Sequence, residues 1–222
     1  MARKLRKPTP SRLPERSTSS LACRDARAAE GLWHWEAPHP EWKPSAGGPD
    51  GWGPDVSCYA IDDGERLLLF DPLALQAELE ELAGSRATAV VLTNPWHERD
   101  ARDLAERLGA QVFVPPPDGP GRLEGQPYAA GDRLPVGVEA RPGTEPPFDL
   151  MLWVESRRAI VIGDSLIDNG TGLTLFDRWI PEGQTREQVL ERLRPLLELP
   201  VEIVLPTHGA PTDRAALERA LT

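Results

Sequence analysis

One stretch constrains this chain more than any other. The apolar run Val90-Val91-Leu92 reaches Thr93 and gives way to the polar cluster Asn94-Pro95-Trp96-His97-Glu98-Arg99-Asp100. Beyond it Ala101, Leu104, Ala105 and Leu108 recur at helical spacing, Gly109 stands where a helix would end, and Gln111–Val114 forms a second apolar run. The pattern predicts a strand buried on both faces, a loaded loop, an amphipathic helix over 100–108 and another strand. Layered α/β folds place their chemistry in loops at the carboxyl ends of such strands.

The same grammar continues along the chain. Val56–Ile61 and Arg66–Phe70 flank Asp62-Asp63-Gly64 and read as a hairpin, and Leu75–Leu82 has helical spacing. Strands are expected at 133–140, 149–155 and 158–162. Thr185 and Gln188 form a capping box before a helix whose apolar stripe runs through Leu197. Val201–Leu205 reads as a strand and Asp213–Leu221 as a closing helix. Two further loaded loops follow strands, Gly163-Asp164-Ser165 and Pro206-Thr207-His208-Gly209. No repeat or linker divides this order, so one layered α/β domain is expected over residues 55–222.

The first residues differ. Residues 1–30 read as a basic disordered tail, because six Lys and Arg between Arg3 and Arg16 face only Glu15 and little can be buried. An anchor for acidic partners or a transit peptide is the less favoured reading, since prolines interrupt any amphipathic helix. Residues 31–54 hold four of the seven tryptophans among five prolines. They read as an irregular strap over the domain rather than a helix or central strand. The alternative is a wall over a pocket mouth with His34 or His39 reaching inward.

A net charge of -10 argues against a nucleic-acid surface, and no apolar run approaches the roughly 20 residues of a membrane span. Two cysteines, Cys23 and Cys58, make no disulfide framework or zinc motif, and the N-terminus lacks the apolar core of a secretory signal, so a cytoplasmic setting is expected.

Several segments together resemble the metallo-β-lactamase superfamily. Leu67-Leu68-Leu69-Phe70-Asp71 is similar to the family's first hairpin strand and its Asp. Thr93-Asn94-Pro95-Trp96-His97-Glu98-Arg99 falls at its T-H-x-H-x-D-H. Gly109-Ala110 and a short strand follow the helix as in the family. Pro142-Gly143-Thr144 falls at a P-G-H turn, Gly163-Asp164 at a G-D, and Thr207-His208-Gly209 at a final T-H-G. The match spans about three quarters of the chain. The resemblance implies a four-layer αβ/βα sandwich, an α/β (α+β) fold in which two sheets meet between outer helices. It also implies a zinc hydrolase, whose histidines and carboxylates hold one or two ions that make a nucleophile from water near neutral pH.

Position by position, most of that ligand set is gone. Asn94, Trp96 and Arg99 stand at three histidines, Glu98 at the Asp and Thr144 at a further histidine, leaving Asp164 and His208. An indole has no lone pair to offer, and a guanidinium cannot be deprotonated into a ligand. The expectation is a degraded metal site with no cofactor. Its pocket, with candidates Asn94, Trp96, Glu98, Arg99 and Thr144, would bind a small molecule or a partner, and Arg99 would pair with Asp164 or Glu98. His97 falls on a spacer position and is expected to point away. The alternative is a hydrolase of an ester, thioester or phosphoester with a rearranged mononuclear site, holding one divalent metal such as zinc on Asp164, His208 and the weaker candidates His97 and Asp100. A purely structural module is the third class. Gly163-Asp164-Ser165-Leu166 spells a lipase motif out of its context, so Ser165 reads as a turn residue. The sequence sets no oligomeric state.

Overall fold

The computed structural model describes residues 26–48, 51–117, 119 and 121–222. Up to residue 25 the expected tail lies outside them. The first sheet has seven strands in chain order: β1 (Ala26–Ala29), β2 (Leu32–Pro38), β3 (Asp55–Asp62), β4 (Arg66–Phe70), β5 (Ala87–Val91), β6 (Gln111–Val114) and β7 (Gln126–Pro127). Pairing is antiparallel from β1 to β4 and parallel from β4 to β7. The first two of the three parallel connections carry α1 (Ala77–Ala83) and α2 (Ala101–Leu108). Gly109 ends α2 with φ +62, the left-handed conformation that a Cβ disfavours.

The second sheet begins with β8 (Arg133–Leu134), β9 (Val138–Pro142), β10 (Leu150–Val154) and β11 (Ala159–Ile162). A small separate hairpin, β12 (Ile167–Asp168) and β13 (Leu173–Thr174), precedes α3 (Arg186–Leu193). Then come β14 (Ile203–Pro206), β15 (Thr212–Asp213) and α4 (Arg214–Leu221), giving the order β15-β14-β11-β10-β9-β8. Only β11 and β14 pair in parallel in this sheet.

Alternation along the strands builds four layers. Leu68 and Phe70 of β4 face Leu152, Val154 and Val161 in a core between the sheets. Leu67 and Leu69 of the same strand turn outward onto Leu79, Ala101 and Leu104 of the first helix pair. Met151, Trp153 and Ile160 of the second sheet pack on Val189, Leu193 and Leu217 of the other pair. Fully burying a leucine-sized side chain contributes about 1.5–3 kcal/mol, so these three cores, not the polar loops, hold the sandwich together.

Four expectations need correction. Leu32–Pro38 is a strand paired on both sides, and β1 carries the same sheet into the segment read as tail. The strap's prolines begin only at Pro38, so every amide from Leu32 to Ala37 remains a potential donor. Trp33, Trp35 and Trp52 do pack onto the domain. The strand expected over 133–140 is split by a turn at Pro135–Gly137, and the helix expected through Leu197 tightens into a 3-10 turn from Arg194. A proline lies at each break, removing an amide donor.

Candidate functional site

Four strands end at one edge of the sandwich: β4 before Asp71, β5 before the Thr93–Asp100 loop, β11 before Gly163-Asp164, and β14 before Thr207-His208. Cross-sheet bonds fix that edge. Leu150 N donates to Thr93 O at 2.9 Å and Ser57 N to Thr207 O at 2.8 Å, while the buried Tyr59 hydroxyl donates to Pro206 O at 2.7 Å. Gly163 lies so close to Thr93 that a Cβ there would meet its Oγ1 at 2.5 Å.

At the centre stands His97, 5 % exposed. Its Nδ1 lies 3.0 Å from Asp71 Oδ2 and its Nε2 3.1 Å from Asp164 Oδ1. This corrects the expectation that His97 points away. Asn94 caps a single 3-10 turn, Pro95–His97, by accepting from Trp96 N at 3.0 Å. The turn swings residue 97 inward and leaves Trp96 38 % exposed. Burial opposes the imidazolium, but the Asp164 and Asp71 carboxylates beside it push His97 up to about 9. At neutral pH it is a cation held between two anions.

Asp71 is the most fully satisfied group of the site. Its carboxylate accepts from Thr93 N at 2.8 Å, Thr93 Oγ1 at 2.6 Å and Thr207 Oγ1 at 3.4 Å, besides His97. Burial raises its pKa, and the His97 charge and bond more than offset that, so it lies below the ordinary value. Asp164 follows the same balance and lies well below the carboxylate range. Its Oδ2 accepts from Asn94 Nδ2 at 3.2 Å. Its Oδ1 is 3.4 Å from His208 Nε2 and forms no well-aligned hydrogen bond despite both imidazoles nearby. Burial pulls His208 below its ordinary value although Asp164 opposes this, so His208 is neutral at pH 7.

Arg99 also differs from expectation. It pairs with neither Asp164 nor Glu98: its Nη1 donates to the Asp71 carbonyl at 2.7 Å and lies 3.7 Å from Cys58 Sγ. Asp71 and Arg99 both have left-handed backbones, φ +44 and +41, a local strain that clusters at functional sites. Glu98 pairs with Arg102 at 2.8 Å across one helical turn and accepts from Leu123 N. Asp100, the weaker ligand candidate, receives Ala74 N at 2.7 Å. Neither strap histidine reaches Asp164. His34 stacks on Tyr59 and its Nε2 lies 2.9 Å from Ser57 Oγ. His39 meets Trp52, which in turn packs edge-on against His208.

A cavity of about 500 Å³ opens beside Asp164. Trp96 and Trp179 line it, with Thr144 and Asp149 on the wall between β9 and β10. Thr144 N donates to Asp149 Oδ2 at 2.9 Å, and Ser165 Oγ donates to the same oxygen. Ser165 is therefore consumed structurally. Asp149 is 2 % exposed and its Oδ1 has no partner. Burial, then the Asp164 charge, push its carboxyl up to about 6. Sequence reasoning missed Asp149. The available signal was a lone acid directly before the apolar run Leu150–Val154.

Among the described residues, the ligand atoms of His97, Asp164 and His208 alone group as a metal could use them, all within 4.8 Å of one another. No helix among those residues is long and apolar enough to cross a membrane.

No family model matches the sequence, and no curated protein matches it. Solved structures do. A metallo-beta-lactamase from Pontibacter korlensis superposes with a TM-score of 0.65 at 14% identity, covering 90% of this chain and 97% of its own. One from Hirschia baltica gives 0.62 at 15% identity over 90% and 96%. A metallo-beta-lactamase family protein from Thermus thermophilus gives 0.59 at 17% over 86% and 78%. Four layers, strand order and these likenesses agree: the chain has the metallo-β-lactamase fold.

Proposed function

We propose that this is a small-molecule-binding protein of the metallo-β-lactamase fold in which protein-borne cations replace a dinuclear metal centre, and that it does not carry out the fold's zinc hydrolysis. The observation that carries this reading is His97 lying between the Asp71 and Asp164 carboxylates at 3.0 and 3.1 Å. Asn94, Trp96, Arg99 and Thr144 occupy four positions where the resemblance implies histidines, so a second ion has no ligand set. The guanidinium of Arg99, anchored on the Asp71 carbonyl, adds a fixed positive charge beside the centre. The site's chemistry is then recognition: a walled cavity with Asp164 at its floor and tryptophans at its rim.

A second reading rests on its own observation. Asp164 Oδ1 lies 3.1 and 3.4 Å from the two imidazole Nε2 atoms, near the roughly 3.3 Å that separates ligand atoms on one tetrahedral zinc with bonds of about 2.0–2.1 Å. His97, Asp164 and His208 therefore fit a single divalent ion, with Asp71 orienting His97 through Nδ1 as carboxylates orient metal-bound imidazoles. Such an ion supplies Lewis-acid chemistry, and the protein would then be an ester, thioester or phosphoester hydrolase. Against it stands the proton on His97. The Asp164 and Asp71 carboxylates favour the protonated ring, and an ion must displace that proton to bind.

Metal analysis of protein purified without chelator separates the two. Zinc, iron and manganese are expected well below one per chain; a full equivalent, lost in Asp164→Ala, establishes the mononuclear site instead.

A further inference from the structure

The cavity beside Asp164 has a chemical character of its own. Its lining carries the carboxylates of Glu145, Asp149, Asp164 and Glu182, with Arg178 the one cationic side chain among the lining residues. Arg178 is itself engaged in an interaction. Its aromatic lining is indole: Trp96, more than a third exposed, and Trp179, seated between Phe176 at 4.6 Å and His208 at 5.4 Å. The face of an indole attracts a cation, by about 0.5–1 kcal/mol when exposed and about 2 when desolvated. A buried carboxylate stands behind this wall. Asp149 lines the cavity and its Oδ1 is unpartnered, although buried polar atoms are nearly always satisfied.

We propose that this cavity binds an organic ammonium ion, a quaternary or tertiary amine whose alkyl groups lie against Trp96 and Trp179 and whose charge faces Asp164, Asp149 and Glu145. Anionic ligands are disfavoured, because with Asp164 matched by His97 three lining carboxylates still outnumber one guanidinium. A neutral ligand would leave Asp149 and Glu145 without a counter-charge in a partly desolvated site, since only Asp164 is matched by His97. The volume of about 500 Å³ accommodates a small amine with room for a substituent. This ligand class belongs to the binding reading above and rests on it.

The probes are choline and its neutral isostere 3,3-dimethylbutan-1-ol, with 3,3-dimethylbutanoate as the anionic counterpart. Each is titrated into the whole chain while indole fluorescence and the indole N–H resonances are followed. Choline is expected to saturate and to shift two indole resonances, assigned through Trp96→Leu and Trp179→Leu. The alcohol is expected to bind roughly tenfold more weakly or worse. Glu145→Gln, at the cavity wall and outside the cores, should weaken choline several-fold and leave the alcohol unchanged. Equal affinity for choline and the alcohol, preference for the carboxylate, or no saturable choline response overturns the proposal. Metal content measured on the same preparation keeps the two possible failures apart. A metal-loaded protein that still prefers choline loses the metal-free reading but keeps the ammonium site. A metal-free protein indifferent to charge loses only the ammonium site.

Discussion

Two aspartates of this molecule are equally buried and stand in opposite electrostatic states. Asp71, at the end of β4, meets three donors and the His97 cation, and its carboxyl is held below the ordinary value. Asp149, at the start of β10, receives only Thr144 N and Ser165 Oγ on one oxygen and faces Asp164, and its carboxyl rises to about 6. Burial acts alike on both, so the difference comes from their neighbours. One acid is locked into the structure by a fixed counter-charge. The other retains an unpartnered oxygen and lines the cavity, where an external cation would supply what His97 supplies to Asp71.

The largest effect expected to test this contrast is on folding. His97→Ala leaves Asp71 and Asp164 without their shared cation, and loss of one partner of a buried pair costs about 3–5 kcal/mol. Urea unfolding at pH 7 measures it; a change within error would show that His97 carries no charge there. Next comes the pH dependence of the native protein. His97 is raised from 6.5 to about 9, so its contribution is complete below pH 6.5 and is lost as pH rises through 9. Stability should fall by on the order of 3 kcal/mol across that window. In His97→Gln the contribution of this group should vanish.

Asp149→Asn should act in the opposite sense and less strongly. The raised carboxyl contributes stability that is present below about pH 4 and lost through pH 6. A neutral amide never loses it, so the variant should gain up to about 3 kcal/mol at pH 8 and almost nothing at pH 4. Destabilisation at pH 8 would mean that Asp149 already has a cationic partner. Smallest of all, Trp96→Ala at the exposed rim should change stability by less than about 0.5 kcal/mol, while weakening any ligand that uses the cavity.

The sandwich was legible because its signals are local. Apolar runs, the capping box at Thr185 and the glycine after α2 each carry their own conformational reason. The site was legible only in part. Asp164 and His208 sit directly after strands, and strand direction places them. His97 could not be placed by register, because one 3-10 turn capped by Asn94 exchanges which neighbour faces inward. Arg99 could not be assigned a partner, since its target is a backbone carbonyl reached through left-handed residues at both ends. Asp149 reads in sequence as the edge of a strand; only the fold brings it beside Asp164.

Whether a protein-borne cation stands where the fold usually holds metal is decided by the protonation state of His97. A nitrogen-15 NMR titration of histidine-labelled protein, with His97→Gln for assignment, reports both ring nitrogens. The expected result is an imidazolium with two N–H groups at pH 7 that deprotonates near pH 9. A neutral ring at pH 7, with Nε2 shifted as a metal ligand or bare, would contradict it.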